Sequence, residues 1–466
     1  MAMRQEKDTL GFVKVPASAY FGAQTARAVA NFPISGLKPH PALVWATVLI
    51  KKCAARANMA TGRLPREIGD AVLSAADEIL AGRLADQFVV DPFQAGAGTS
   101  HNMNVNEVLA NRAAELLGGS RGVYDRVHPN DHVNMAQSTN DVFPTALRLA
   151  CLRLTEEFLP ALALLRDALG RKGEEFDTIL KSGRTHLQDA VPIRLGQEFA
   201  AYALAIDKNL QGVERALPEL RELGLGGTAV GTGLNAEDRY IDLVIAELAR
   251  ESGFPLVRGR DLVERMENMD PFVALSSALK GTAVNLIRIA NDLRLLASGP
   301  RTGFDEISLP ALQPGSSIMP GKVNPSMAEL TDMVAFQVIG CDTVVTMAAQ
   351  AGQLELNVMM PVIAFNLLSS LTILSNAVRK LATSCIDGIV AHPDQCRRYL
   401  DDSLGLATVL APYIGYAAAA EIAKEAVRNG KSIRETVLEK GILSDERLTA
   451  LLEPMSLTTP GVPGKH

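Results

Sequence analysis

The chain is poor in aromatic residues, poor in cysteine and without any basic run. Aromatics make up 5% of its 466 residues while hydrophobic residues reach 47%, so the core must be aliphatic, built from Leu, Ala, Val, Ile and Met. That composition favours helix over sheet. With 46 basic against 52 acidic residues the net charge is −6, and nucleic acid is not expected as a partner. The five cysteines, Cys53, Cys151, Cys341, Cys385 and Cys396, are scattered, odd in number and never spaced C-x-x-C. Neither a disulfide framework nor a structural zinc site is expected, and a reducing compartment, the cytoplasm, fits better. Met1 to Asp8 is charged and holds no apolar stretch, so it does not read as a secretory signal.

Charge is missing from one long stretch. Leu356 to Val378 carries none for 23 residues, long enough to span a bilayer. It also holds Asn357, Pro361, Asn366, Ser369, Ser370, Ser375 and Asn376, which would be costly in lipid. A buried helix at the centre of a large helical assembly accounts for it better than a membrane span. Metal-ligand spacing is lacking too. His128 and His132 are four apart, but Pro129 and Asn130 interrupt any helix between them, and H-E-x-x-H is absent. No metal site is expected.

Three parts are expected along the chain: 1–138, 139–393 and 394–466. The first is broken by Pro33, Pro39, Pro41, Pro65, Pro92 and Pro129 and reads as short helices joined by loops, with irregular structure at Leu84 to Pro92. In the second, Leu147, Cys151, Leu154, Phe158, Leu162, Leu165 and Leu169 recur with a helical period, and Pro160 is a point for a kink. A second long helix is expected over 271–298, with Leu275, Leu279, Leu286, Leu293 and Leu296 on one stripe. Further helices are expected over 326–350 and 358–381. Several carry more apolar surface than one seam needs, as in a bundle shared between subunits. The third part reads as short helices, with a capping box at Ser432 to Glu435 and helix-ending glycines at Gly430 and Gly441. The tail from Thr459 to His466, rich in Pro and Gly, is expected to be poorly ordered.

The most chemical stretch is Gly315 to Pro325, GSSIMPGKVNP. It combines hydroxyls, glycines, a lysine and an amide, which suits a loop that turns backbone N–H groups and a positive charge toward a carboxylate. It is not a nucleotide-phosphate loop: Gly321 comes one residue late, and Val323 stands where a hydroxyl is required.

The same loop resembles the signature of the fumarase/aspartase superfamily of lyases. Three further blocks resemble family motifs in the family's order: QAGAGTSHNMNVNE from Gln94, HPNDHVNMAQSTNDVFPT from His128 and GRTHLQDAVPIRLGQ from Gly183. The resemblance runs from about Glu6 to Gly461. It implies a mainly α, three-domain fold with a long central helical bundle pooled in a homotetramer. It also implies composite sites built by three subunits, so that a monomer would be inactive. No cofactor is implied.

The implied chemistry is β-elimination from a succinate skeleton. A base must reach a carbon-bound proton, donors must wait for the charge that builds on the neighbouring carboxylate, and other groups must hold the second carboxylate. By the resemblance Ser316 is the base, within the mobile active-site loop 315–325 that also carries Ser317. Lys322 and Asn324 hold the carboxylate distant from that proton, and Thr185 and His186 complete that pocket. Glu329 partners the histidine. Thr99 with Ser100, and Ser138 with Thr139 and Asn140, hold the carboxylate that takes up charge and the substituent that leaves, with Asn140 as the amine contact. Asn102, Asn104 and Asn106 brace the site. Read alone, Ser316 is a turn serine, Glu329 a first-turn glutamate and Ser138 to Asn140 a helix cap.

Two reactions share this outline, ammonia loss from L-aspartate and water loss from malate, both giving fumarate. GAGTS at Gly96, QSTND at Gln137, GQLELNVM at Gly352 and NFPIS at Asn31 resemble the aspartase branch. GGTAVGTG at Gly226 is nearer the fumarase form, His186 is usual there, and Met360 departs from both. Ammonia loss is the expected reaction and hydration of fumarate the alternative. An inactive structural or binding homologue would have little reason to keep the full set of polar residues.

Overall fold

The computed structural model describes residues 2–453 and 455–464. Along the chain, a hairpin of β1 (Met3–Asp8) and β2 (Gly11–Pro16) precedes α1 (Ala23–Asn31), α2 (Pro41–Ala60), α3 (Arg66–Leu80) and α4 (Thr99–Leu116). α5 (Thr139–Glu175) leads to a second hairpin, β3 (Leu180–Thr185) and β4 (Gln188–Arg194), and then α6 (Leu195–Leu220). β5 (Glu222–Leu223), α7 (Asp238–Ser252) and β6 (Val257–Arg258) follow, the two short strands pairing in parallel. After α8 (Glu264–Glu267) come the long helices α9 (Asp270–Leu296), α10 (Ser326–Ala349) and α11 (Met360–Ser384). β7 (Ile307–Ser308) pairs antiparallel with β8 (Val390–Ala391). Five short helices close the chain: α12 (Pro393–Asp402), α13 (Ala407–Ile414), α14 (Tyr416–Asn429), α15 (Ile433–Glu439) and α16 (Asp445–Leu451). The fold is mainly α, as composition predicts, and strands occur only as two-stranded pieces among the described residues.

The helical periods hold. On α5, Leu147, Cys151, Phe158, Leu162, Leu165 and Leu169 are all buried, and the helix runs through both Pro144 and Pro160. The stripe Leu275, Leu279, Leu286, Leu293 and Leu296 is buried on α9. Residues 84–92 hold one 3-10 turn, Ala85–Gln87, and otherwise irregular backbone.

Two elements depart from the sequence reading. The first part of the chain opens on a hairpin, not a helix, and its α2 is 20 residues long. The motif around Thr185 is a second hairpin. Both hairpins point charged or polar side chains inward: Glu6 is 1% exposed, and Lys181 and Ser182 are each 2% exposed. Glu6 accepts from Arg4 and from the Ala23 N–H, and Lys181 pairs with Glu198 and Glu306. An inward face of ion pairs leaves no apolar alternation to read.

Compactness groups the chain into two units. One comprises Met1–Pro160, Asn209–Ala283 and Val334–Ser375. Its core includes Val48 of α2, Val72 of α3 and Val108 and Leu109 of α4, none of them exposed. The other comprises Ala161–Lys208, Val284–Met333 and Asn376–His466. One of its cores is formed by Leu410, Ile422, Ile433, Val437 and Leu448 of the short C-terminal helices. There the capping box at Ser432 and Glu435 is formed, and Gly430 and Gly441 take left-handed φ of 62° and 60°. The tail carbonyl of Pro463 accepts from the Tyr413 hydroxyl, while Lys465 and His466 lie outside the described residues.

Among the described residues three helical stretches, α9, α10 and residues 360–388, are long and apolar enough to cross a membrane by length and composition. In the last, Asn366 donates to the Val362 carbonyl at 2.8 Å, and Ser370 and Ser375 are buried. All five cysteines are free and buried.

Candidate active site

In the first unit, two helix N-termini carry the hydroxyl and amide clusters. α4 begins at Thr99, after Ala97 and Gly98 have turned the backbone through left-handed φ of 59° and 84°. The His101 N–H of its first turn donates to Gln94 Oε1 at 2.6 Å, and the Thr99 side chain is exposed beside it. Ser100 is buried. α5 begins at Thr139, with Ser138 and Asn140 beside it. The Asn140 N–H donates to Ser138 Oγ at 3.2 Å, and its side-chain Nδ2 donates to the Ala229 carbonyl at 2.8 Å. Asn102 of α4 links the clusters by donating to Thr139 Oγ1 at 3.0 Å. Thr99, Ser100, Asn102, Ser138, Thr139 and Asn140 are therefore brought to neighbouring helix starts. Asn104 instead donates to the Gln87 carbonyl and accepts from the Val89 N–H, bracing the irregular 84–92 segment.

Beneath these clusters lies a bed of buried polar groups that motif reading did not single out. Lys51 of α2 is fully buried, and its Nζ donates to Asn134 Oδ1 at 2.8 Å and Gln137 Oε1 at 2.9 Å. Burial pushes its pKa down to about 7, against the pull of Asp141. Asn102 and Asn106 donate to the same Asn134 oxygen, at 3.2 and 3.1 Å. His101 is buried against Thr47 Oγ1 at 2.9 Å, and desolvation pushes it down to about 4, so it is neutral. Asp141 is fully buried and accepts the N–H groups of Ser138, Gly226 and Thr228 at 2.9, 3.0 and 3.0 Å. Burial raises it to about 6 despite those donors. The available signal was the polar spacing Thr47, Lys51, Asn58 on a helix otherwise apolar on that face. Glu107, from the same motif as Thr99, has a different job: its carboxylate accepts the N–H groups of Gly22, Gln24 and Thr25 and so caps α1.

In the second unit, the loop 315–325 closes on itself. The Gly315 N–H donates to the Lys322 carbonyl at 2.8 Å, and Asn324 Nδ2 donates to the Gly315 carbonyl. Gly315 is required, since a Cβ there would sit 2.4 Å from the Lys322 carbonyl oxygen. Inside this ring Ser316 Oγ accepts two backbone N–H groups, from Ile318 at 3.2 Å and Met319 at 2.9 Å. Donors aimed at a hydroxyl oxygen favour its ionised form. Ser317 and Lys322 are exposed, and so are Ile318 and Met319 at the loop tip.

Thr185 and His186 sit at the tip of the β3–β4 hairpin. Thr185 pairs with Gln188, leaving His186 and Leu187 as a two-residue turn with φ of 55° and 58°. Two left-handed central residues define a type I′ turn, normally built from Asn and Gly. Holding bulkier residues there costs on the order of 1–3 kcal/mol each, a cost that concentrates at functional sites. His186 is thereby held out on an exposed turn. Glu329 lies in the first turn of α10. Among the described residues no hydrogen bond or ion pair joins His186 to Glu329 within the chain, nor Lys322 to Ser316.

His128 and His132 serve the backbone. His128 Nδ1 accepts from the Asn130 and Asp131 N–H groups, and His132 Nδ1 accepts from the His128 N–H. Met360 starts α11 and is fully buried.

Comparison with known proteins places this geometry in context. Residues 11–340 match the family model described as "Lyase", and residues 406–459 match "Fumarase C C-terminus". The chain is 51% identical to the aspartate ammonia-lyase of Bacillus subtilis (strain 168), over 99% of this chain and 98% of that protein. It is 48% identical to the class II fumarate hydratase of Neisseria meningitidis, over 99% of this chain and all of that one. A crystal structure of "fumarate lyase:delta crystallin from Brucella melitensis bound to cobalt" superposes with a TM-score of 0.95 at 50% identity, covering 98% of this chain and all of that one.

Proposed function

The chain belongs to the fumarase/aspartase superfamily of lyases, and on that premise we propose that it is an aspartate ammonia-lyase, converting L-aspartate reversibly to fumarate and ammonia. The observation that carries the chemistry is the pair of N–H groups on Ser316 Oγ. As alkoxide, that oxygen removes the C3 proton. The electron pair left behind moves onto the adjacent carboxylate as a dianionic aci-carboxylate, then forms the double bond as the C2–N bond breaks. Ammonia departs with the bonding pair. The start of α4 with Thr99 and Ser100, and the cluster Ser138 to Asn140, meet the developing charge and the amine. Lys322, Asn324, Thr185 and His186 hold the other carboxylate, and Glu329 orients the histidine. Ammonia loss is favoured over water loss by the 51% identity to an aspartase and by the amide of Asn140. One of its two Nδ2 hydrogens is taken by the Ala229 carbonyl, and its oxygen can accept from an ammonium, which only donates. Hydration of fumarate is the second reading, favoured by GGTAVGTG and by the relative at 48% identity.

The working form is a homotetramer with sites completed by three subunits, on a three-part chain divided at 138 and 393. α10 supports this: Met333, Phe336 and Met347 are 64%, 60% and 59% exposed, spaced along one apolar face that needs a cover. Gln337, Thr343 and Thr346 are exposed beside it, which favours the same face of another copy over lipid. Five free, buried thiols fit the cytoplasm. The test is fumarate absorbance with L-aspartate and L-malate in parallel at mildly alkaline pH. Turnover of aspartate alone supports the reading, and turnover of malate alone overturns it in favour of the hydratase.

A further inference from the structure

Strand β3 is irregular at two places just before and just after Thr185, and one buried carboxylate stands between them. Lys181 and Arg184 are three residues apart, so a regular strand would point them to opposite faces. The register of β3 against β4 shifts between Ser182 and Arg184. Gly183 sits at the shift, where a Cβ would lie 2.6 Å from the Val191 carbonyl oxygen. Such a shift re-aims a side chain, and here Arg184 comes to the side of Lys181. Both meet Glu306, which is 0% exposed: Lys181 Nζ lies 2.7 Å from its Oε2, and Arg184 Nη1 donates to its Oε1 at 2.9 Å. The Arg184 guanidinium also lies 4.3 Å from the centre of the Phe304 ring and 5.2 Å from that of Tyr399. The second irregularity is the left-handed turn His186–Leu187. This tip is not seated on packed core, since Arg184 and Leu187 border a cavity of about 320 Å³ that Tyr202, Asp292 and Leu295 also line. β4 is held separately: the Leu404 N–H donates to Asp189 Oδ2 at 3.3 Å, and Arg194 donates to Thr458 Oγ1 at 2.8 Å.

We infer that Glu306 is a positioning residue for the carboxylate pocket, setting through Arg184 where the Thr185–His186 turn stands. This rests on the reading of Thr185 and His186 as part of that pocket. Arg184 directly precedes Thr185, so fixing its guanidinium fixes the chain one residue before the pocket. A bulge and a strained turn persist only where the surroundings over-determine them. Above a cavity that determination comes from the ion pair rather than from packing. Lys181 keeps a second partner, Glu198 at 3.1 Å, whereas Arg184 has no other ion-pair partner among the described residues. Glu306 also stands nine residues before Gly315, so it sets the turn against the chain that enters the loop 315–325. Being fully buried, it does this without touching substrate.

The test is a double-mutant cycle on the full chain in a Ser316→Ala background, which permits equilibrium titration without turnover. Calorimetry measures affinity for L-aspartate and succinate. Glu306→Gln keeps the size of the side chain and removes the charge that holds Arg184, while Glu198 still pairs with Lys181. It is expected to weaken both ligands about tenfold. The same substitution is then made after Thr185→Val and His186→Asn have stripped the turn of its pocket groups, asparagine tolerating the left-handed φ. There it is expected to weaken binding less than about twofold, because the groups through which it acts are gone. Equal losses in the two backgrounds would make Glu306 merely structural, and no loss in the first would mean that other contacts hold the turn. Either result overturns the inference and leaves the pocket reading standing. Unchanged affinity on Thr185→Val with His186→Asn alone would remove the turn from the pocket, and the reading and the inference would fall together. Should Glu306→Gln fail to fold, Arg184→Lys keeps the charge, loses the planar fork and the ring contacts, and takes its place in the same cycle.

Discussion

Ser316 Oγ accepts the Met319 N–H at 2.9 Å, within a ring closed by the Gly315 N–H on the Lys322 carbonyl. Ser316 Oγ also accepts the Ile318 N–H at 3.2 Å, the turn pattern of a side chain bonded to the backbone two and three residues on. Two backbone donors on that oxygen favour an alkoxide there over a hydroxyl. Ser316→Ala removes the acceptor and leaves the Gly315–Lys322 closure. Turnover is expected to fall by at least about 10³-fold, at the upper end of what a positioned base contributes. Fumarate absorbance measures this, with light scattering to show that the oligomer is unchanged. Activity near that of the unmodified protein would remove Ser316 as the base.

Lys322 holds the loop shut through its backbone carbonyl, so its side chain is free for another task. Lys322→Ala keeps the Gly315 bond and deletes the ammonium. If that charge meets a substrate carboxylate, KM for aspartate rises about 10- to 100-fold, the equivalent of one charge-assisted hydrogen bond of about 1.5–3 kcal/mol. An unchanged KM with unchanged kcat would assign Lys322 to the loop alone.

Most of the fold was readable because long helices repeat their apolar residues. Leu147, Cys151, Phe158 and Leu162 recur at spacings of four, seven and four and are buried together on α5, with Leu154 half-buried between Cys151 and Phe158. The hairpins were not readable, since Glu6 and Lys181 face inward and their burial depends on partners distant in sequence. The loop 315–325 announced donors and a positive charge by composition. Which hydroxyl would collect the N–H groups was a matter of backbone turn. The bed of Lys51, His101 and Asp141 was hidden for a different reason. A single polar residue in an apolar helix looks like an exposed interruption until Asn134 and Gln137 fold over it.

Phe336, 60% exposed on α10, stands between Met333 and Met347 on a face with no cover from its own chain. If that face packs on the same face of another copy, as proposed above, a carboxylate there would meet its symmetry mate. Phe336→Asp is expected to yield folded chains that do not assemble, with activity reduced at least about 100-fold because composite sites are lost. Sedimentation and circular dichroism separate loss of assembly from loss of fold. An active tetramer carrying this substitution would place the interface elsewhere.

Lys51 supplies a pH signature that no surface lysine has. In the unfolded chain a lysine keeps its proton to about 10.5, whereas burial brings the folded value down to about 7. Between those limits the unfolded state binds the extra proton, so unfolding free energy gains from this residue as pH rises, and the gain is lost as pH falls through the folded pKa. Lys51→Met lacks the titration and retains the aliphatic stem. Subtracting the variant from the unmodified protein should therefore leave a positive slope over roughly pH 7 to 9, approaching about 1.4 kcal/mol per pH unit. The nearest opposing groups act elsewhere: Asp141, raised to about 6, titrates below this window, and His101, lowered to about 4, is already neutral. Urea unfolding at three pH values within the window measures the slope. Parallel curves would mean that Lys51 keeps its proton when folded, and that Asn134 and Gln137 hold a full ammonium under the Ser138 cluster throughout the working range.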